Sequence, residues 1–228
     1  MAAKSYFRER FDAMVATLRA HPEVEVYKVV VRPPATAAAI RKAEKAVGSP
    51  LPDDLRAFYL AHDGVFLEWG LREHDYDART KPFDGPDYGQ PPGCINLLPV
   101  ARAISPAWEK NSHVNEIDDD HLRRMFGRKP HEPPAVRAVC IDSYSNYNHA
   151  DLVFGPEPVM IVATDHGADM ESSDFTSFSV YLDVTLALFG VDRYEHGLGV
   201  HSSRRPRRIA EWAKTPKLDR LLKKLDDA

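Results

Sequence analysis

The fold is decided by residues 35–64, whose sequence is ATAAAIRKAEKAVGSPLPDDLRAFYLAHDG. Thr36 can cap a helix, and Gly48 is a natural left-handed stop for it. A second helix follows at once, because Pro52 is tolerated in a first turn and Gly64 can end the segment. The inward positions of the two helices are expected at Ile40, Ala43, Val47, Leu55, Phe58 and Tyr59.

The chain on both sides of this stretch alternates between helical and strand patterns. Apolar residues recur at spacings of three and four over 6–19, which predicts a helix that Ser5 can cap and that His21-Pro22 ends. Strands are predicted at 24–31, 65–69, 94–98, 136–141, 151–154 and 159–163. Further helices are predicted at 100–110 and 175–189, with Asp174 as the cap of the latter, and an amphipathic helix at 209–225 that Pro216 breaks or kinks.

The composition predicts one substantial core in a reducing compartment. The chain has 228 residues, of which 43% are hydrophobic, and only two cysteines, Cys94 and Cys140, with no CxxC pair. The first residues carry Lys4, Arg8, Glu9 and Arg10 without the apolar stretch of a signal peptide, and no segment reaches the length of a membrane span. A soluble, cytoplasmic protein that does not contact membranes is expected.

The charge is unevenly distributed. Residues 201–228 contain nine Lys or Arg against four Asp or Glu, a net charge of +5, whereas residues 1–200 contain 21 basic and 30 acidic residues, a net charge of −9. An acidic body repels nucleic-acid backbones and favours cationic partners. Nucleic-acid binding is therefore not expected, except through the basic tail.

The stretch 35–64 resembles the signature of the SUKH superfamily. That signature comprises a helix with an internal Glu, a Gly, a Leu-Pro pair, an aromatic helix and an ending like Asn-Gly. Residues 95–104 (INLLPVARAI) resemble the next strand and helix of the superfamily, and residues 174–182 (DFTSFSVYL) resemble its closing helix. The resemblance spans about residues 35–190. Two departures are Asp63, where Asn is more usual, and Ala150-Asp151, where a Gly-Asp pair is expected.

The resemblance implies an α+β domain with a mixed, mainly antiparallel sheet flanked by helices. Known members are chiefly bacterial immunity proteins that bind and neutralise a cognate toxin, and fungal members regulate cell-wall assembly as interaction proteins. No catalytic residues or cofactor are associated with the superfamily, so a non-enzymatic binding protein is implied. The expected organisation is one domain at 1–200, with an N-terminal helix at 5–20 and an insertion at 111–135, followed by a basic linker and amphipathic helix at 201–228.

The signature residues themselves have mainly structural interpretations. Leu51-Pro52 fixes the direction from which the chain enters the second helix, and Gly64 accepts a positive φ. Glu44 and His62 are candidates for a hydrogen bond that joins the two helices. The complete set is Glu44, Gly48, Leu51, Pro52, Phe58, Tyr59, His62 and Gly64.

Two polar clusters keep open an alternative, a metal- or nucleotide-dependent enzyme. Residues 116–121 (EIDDDH) offer donors for a divalent cation, although an acidic cap for a following helix explains them as well. Asp165-His166 offers an acid and a base, although turn chemistry explains the pair as well. Cys140 lies in an apolar strand and is expected to be a buried thiol.

A binding face for a basic partner is the favoured functional hypothesis. Aromatic and amide side chains are common at interfaces, and complementary charge raises association rates. The candidate residues are Glu73, Asp75, Asp77, Tyr144, Tyr147 and Asn148, with Asp84 and Asp87 nearby. The expected partner is a cognate toxin or another protein.

Overall fold

The computed structural model describes residues 6–76, 81–83, 91–105, 137–145, 148–154, 158–165, 170–175, 177–191 and 218–226. The helices in these ranges are α1 Tyr6–Ala20, α2 Ala37–Val47, α3 Asp53–Ala61, α4 Val100–Ala103, α5 Phe178–Ala187 and α6 Leu218–Asp226. The strands are β1 Val24–Val31, β2 Val65–Leu71, β3 Gly93–Leu97, β4 Arg137–Asp142, β5 Asn148–Phe154, β6 Val159–Asp165 and β7 Met170–Phe175.

The seven strands form one sheet in which the spatial order follows the order of the chain. Every pair of neighbouring described strands is antiparallel. β1 and β7 are therefore the two terminal strands of this sheet. An α+β fold with an antiparallel sheet flanked by helices is confirmed.

The caps predicted for α2 are present, whereas α3 ends at Ala61, three residues before the predicted stop at Gly64, with His62 as its C-cap. Thr36 Oγ1 accepts a hydrogen bond from the N–H of Ala39 at 3.1 Å, which satisfies one free donor of the first turn of α2. Gly48 follows α2 with φ 75°, and its N–H donates to the carbonyl of Glu44 at 2.9 Å. Gly64 has φ 102° at the turn from α3 into β2. The turn at Gly64 leads from α3 into β2, the second strand of the sheet.

Aromatic rings join helices α1, α3 and α5 into one layer. The ring of Phe58 on α3 lies 5.2 Å from that of Phe7 on α1 and 5.3 Å from that of Phe178 on α5, measured between centroids. The layer contacts the sheet through Trp69 of β2, whose indole N–H donates to the carbonyl of Phe189 just after α5 at 2.6 Å. The core therefore lies between these helices and one face of the sheet.

The region before α5 differs from the prediction. Asp174 lies in β7 opposite Ile161, so it is not the helix cap, and the cap is Ser177, whose hydroxyl accepts from the N–H of Val180 at 3.2 Å. Strand β7 reads MESSDF and lacks the apolar alternation that identifies strands, which is why the sequence did not indicate it. The predicted start of α5 at Phe175 was accordingly three residues early.

The C-terminal helix α6 packs onto the body of the protein. Leu218, Leu221 and Leu222 are buried, with 4%, 1% and 3% of their surface exposed. Asp219 Oδ1 lies 2.9 Å from Nε2 of His21 at the end of α1. The remainder of the predicted tail helix, before Leu218, lies outside the described residues. Among the helices that the structure describes, none has the length and apolar character to cross a bilayer.

Candidate functional site

The structure places the predicted binding residues in different environments. Glu73 and Asp75 are exposed in the segment that follows β2. Tyr144 follows β4 and is only 2% exposed, so it contributes no accessible surface in this arrangement. Asn148 is the first residue of β5, and Asp77 and Tyr147 lie outside the described residues.

Two further acids lie beside Glu73 and Asp75. The register of β1 and β2 sets Glu25 opposite Gly70, and the N–H of Arg72 donates to the carbonyl of Glu23 at 2.9 Å. Glu23 and Glu25 are exposed. We call Glu23, Glu25, Glu73 and Asp75 the acidic edge. The sequence did not indicate Glu23 or Glu25, because their proximity to Glu73 depends on the pairing of strands that are about 40 residues apart.

Two half-buried tyrosines adjoin the acidic edge. A Cβ on Gly70 would lie 2.6 Å from Cδ2 of Tyr76 and 2.8 Å from the hydroxyl oxygen of Tyr27, so both side chains lie close to this glycine. A side chain at position 70 would force these two tyrosines to shift. The ring of His74 stacks on Tyr76 with centroids 5.6 Å apart. The result is an aromatic surface next to the acids.

The pKa of Tyr27 is also affected by the acidic groups that lie near it. Burial raises the pKa of the Tyr27 phenol above its usual value, because water no longer stabilises the phenolate. Groups that carry or acquire negative charge add to this rise in the pKa of Tyr27, in decreasing order Glu25, Tyr76, Glu68 and Asp75. The charged groups that act on Tyr27 are therefore acidic.

The thiol of Cys140 and the pair of His149 and Asp151 are buried in strands β4 and β5. Cys140 pairs with Asp151 in the β4–β5 ladder, and burial, followed by the charge of Asp151, raises the pKa of its thiol well above the usual value. Such a thiol is a poor nucleophile, because the thiolate is the reactive form. His149 Nε2 lies 2.9 Å from Asp151 Oδ2, and both residues are buried.

The acidic cluster at 116–121, for which the sequence leaves open both a metal site and a helix cap, lies outside the described residues, as does His166. Asp165 is the last residue of β6. Within the described ranges, no group of three or more His, Cys, Asp or Glu residues is arranged to hold a metal ion.

The signature residues form contacts within the fold. Glu44 Oε1 accepts from the N–H of Leu51 at 3.3 Å and lies 3.6 Å from Nε of Arg56. The Glu44 carboxylate thus ties α2 to the Leu-Pro pair and to α3. The His62 ring packs near Phe58, with centroids 6.1 Å apart.

Asp63, the departure from the usual Asn, has two contacts. Its Oδ1 accepts from the N–H of Val100, the first residue of α4, at 2.9 Å. Its Oδ2 lies 3.5 Å from a guanidinium nitrogen of Arg32. Asp63 therefore fastens the end of α3 to both α4 and the end of β1.

These features define an α+β domain whose antiparallel sheet is covered by helices and whose acidic edge is exposed beside two half-buried tyrosines. Residues 34–183 match the model of the SMI1 / KNR4 family (SUKH-1), and the chain belongs to this family. A search of curated proteins found no match. The family suggests a protein-binding role and is generally non-enzymatic, and it is compatible with an immunity-like or a regulatory function. Helices α1 and α6 lie outside the matched range.

Proposed function

We propose that this protein is an immunity protein that binds a cognate toxin in a stoichiometric complex and blocks its active site or the path of its substrate. The observation that carries the proposal is the acidic edge, with Tyr27 and Tyr76 beside it, on a domain of the SUKH-1 family. The partner surface that this edge fits is basic. Toxins that act on nucleic acid carry such surfaces, because they must bind phosphate.

Physical considerations support this use of the acidic edge. Complementary charge steers two proteins together and raises the association rate, and exposed aromatic rings supply contact area at a low cost in side-chain entropy. The four carboxylates belong to the 1–200 part of the chain, which carries a net charge of −9. The proposed interface includes Glu23, Glu25, Tyr27, Glu73, Asp75 and Tyr76, with Asp77, Tyr147 and Asn148 as further candidates. It omits Tyr144 because that side chain is buried.

Co-expression with toxin candidates encoded next to this protein tests the proposal. We expect one of them to arrest growth, to be rescued by this protein, and to co-purify with it at a fixed stoichiometry. The double variant Glu25→Gln with Asp75→Asn should lose the rescue. Glu9→Gln, which removes an exposed carboxylate from α1, is the matched control and should retain it. Absence of any complex or rescue with all candidates would overturn the proposal.

A further inference from the structure

The register of β1 fixes which of its backbone groups face away from the sheet. At one end the N–H of Arg72 donates to the carbonyl of Glu23, and at the other end the N–H of Arg32 donates to the carbonyl of Gly64 at 3.1 Å. Hydrogen-bonded and non-hydrogen-bonded pairs alternate along an antiparallel ladder. The residues of β1 whose N–H and C=O point away from β2 are therefore Val24, Val26, Val29 and Val31.

Three of these outward positions face no strand of the described part of the chain. The N–H of Val24 donates to the carbonyl of His21 at 3.3 Å and so is already used. No strand of the described chain lies beyond β1, so Val26, Val29 and Val31 have no ladder partner there. Their side chains are half-exposed. A row of outward amides and carbonyls on a β-branched strand is a template for pairing with another strand.

Self-pairing of β1 between two copies is disfavoured by its sequence and geometry. The register shifts between Val26 and Lys28, which marks a bulge at Tyr27, so any strand that pairs along the whole of β1 needs a matching irregularity there. A symmetric pair restricted to the regular stretch, centred on Val30, would set Lys28 of each copy opposite Arg32 of the other. Like charges in directly opposed positions are destabilising. The register centred on Val30 is therefore not the expected use of this edge, and a different chain is the favoured occupant.

The charges beside β1 indicate the chemistry of that chain. Glu25 is exposed on β1 itself, and Glu73 and Asp75 lie beside the first half of the strand. At the other end, Lys28 lies opposite Glu68 and Arg32 lies 3.5 Å from Asp63, so those cations have acids next to them. A strand added to β1 would thus meet net negative charge near Glu25.

We propose that β1 accepts an extended segment of the protein partner as an eighth strand, with basic side chains of that segment against the acidic edge. The ladder would use the outward groups of Val26, Val29 and Val31. This inference rests on the proposed function, because it names the way in which the basic partner binds.

Amide hydrogen exchange on the full chain tests whether the outward amides of β1 are available for pairing with an added strand. In the free protein the amides of Val26, Val29 and Val31 should exchange at least about a hundredfold faster than the inward amide of Val30, because only the latter is in a ladder. The probe is a synthetic peptide of alternating Lys and Val, eight residues long. Its binding should slow the three outward amides by about tenfold or more. Outward amides that are already protected in the free protein, or unchanged by bound peptide, would overturn the inference.

A backbone variant tests whether the outward N–H of Val29 contributes to peptide binding. Val29→Pro removes an outward N–H that makes no bond to β2 and places the ring where the added strand would lie, so peptide affinity should fall by about tenfold. Val29→Thr keeps the N–H and the branched shape and should bind within about twofold of the original. Circular dichroism checks the folding of each variant, and the exchange experiment decides the question if Val29→Pro does not fold.

The charge variants separate this inference from the proposed function. If Glu25→Gln with Asp75→Asn loses peptide binding while folded Val29→Pro retains it, strand addition is overturned and the acidic edge stands. If the charge variant retains binding, the proposed use of the acidic edge fails. Sedimentation of the free protein completes the test, since a dimer that Val29→Pro abolishes would show that β1 pairs with a second copy, contrary to the inference.

Discussion

Lys28 on β1 lies directly opposite Glu68 on β2, and the Glu68 side chain is completely buried. A buried carboxylate is costly unless a cation or hydrogen-bond donors lie close to it. Cβ atoms in directly opposed positions of antiparallel strands are about 5 Å apart, which is within reach of a Lys and a Glu. The pair therefore connects the terminal strand β1 to the interior of the sheet.

Removal of the Lys28 charge alone should destabilise the fold more than removal of the charges of both Lys28 and Glu68. Lys28→Met leaves the Glu68 carboxyl buried opposite an apolar side chain, at an expected cost of about 2 kcal/mol in the free energy of unfolding. Adding Glu68→Leu should recover most of that loss, because the buried charge is then gone. Urea unfolding of the two single variants and the double variant measures the coupling. If the loss of stability in the double variant equals the sum of the losses in the two single variants, the expected coupling of Lys28 and Glu68 is contradicted.

A second buried carboxylate, Asp142, is held by two donors. Its Oδ1 accepts from the N–H of Asn96 and its Oδ2 from the hydroxyl of Tyr181, both at 2.7 Å. Tyr181→Phe should cost about 2 kcal/mol of unfolding free energy, because the lost bond is to a charged acceptor in the interior. The matched control is Tyr59→Phe, which loses a 3.1 Å bond to the carbonyl of Leu98 and should cost about 1 kcal/mol. Chemical denaturation compares the two, and a reversed order would contradict a stronger bond to Asp142 than to the carbonyl of Leu98.

The parts of the fold that the sequence predicted are those with local signals. Thr36, Gly48 and Pro52 mark the bounds of α2 and α3 within a few residues of chain, so their caps could be predicted. The acidic edge could be predicted only in part, because Glu25 comes near Asp75 through strand pairing. Tyr144 was misleading in a similar way, since an aromatic residue among polar neighbours looks like a surface residue until burial is known.

Replacement of Asp63 by Asn, the residue more usual in the superfamily, separates the effects of its two contacts. Asp63→Asn keeps an oxygen that can accept from the N–H of Val100, and it loses only the contact with the exposed Arg32, so the stability should change by less than about 0.5 kcal/mol. Asp63→Ala loses both contacts and should cost about 1 kcal/mol. Thermal unfolding of both variants makes the comparison. An Asn variant as unstable as the Ala variant would mean that the ion pair with Arg32, and not the bond to Val100, is the important contact.

His62 should make stability depend on pH in the acid range. Burial, followed by the positive charge of Arg8, lowers the pKa of His62 below the 6.5 of an exposed histidine, while Asp12 acts in the opposite direction. As the pH falls below about 6.5, the unfolded chain takes up a proton at this site before the folded chain does, so folding loses stability until the pH is below the folded pKa.

The variant His62→Phe isolates that effect. Phenylalanine can keep the ring contacts with Phe7 and Phe58, which have centroids 5.8 and 6.1 Å from His62, but it cannot take up a proton. Urea unfolding at pH 7.5 and pH 5 should show a smaller loss of stability on acidification for the variant than for the original protein. The matched control is His21→Phe just after α1, which removes a histidine ring that contacts the N–H of Glu23 and the carboxylate of Asp219 and leaves His62 in place. An identical loss for His62→Phe and the original protein would show that protonation of His62 is not resisted by the fold.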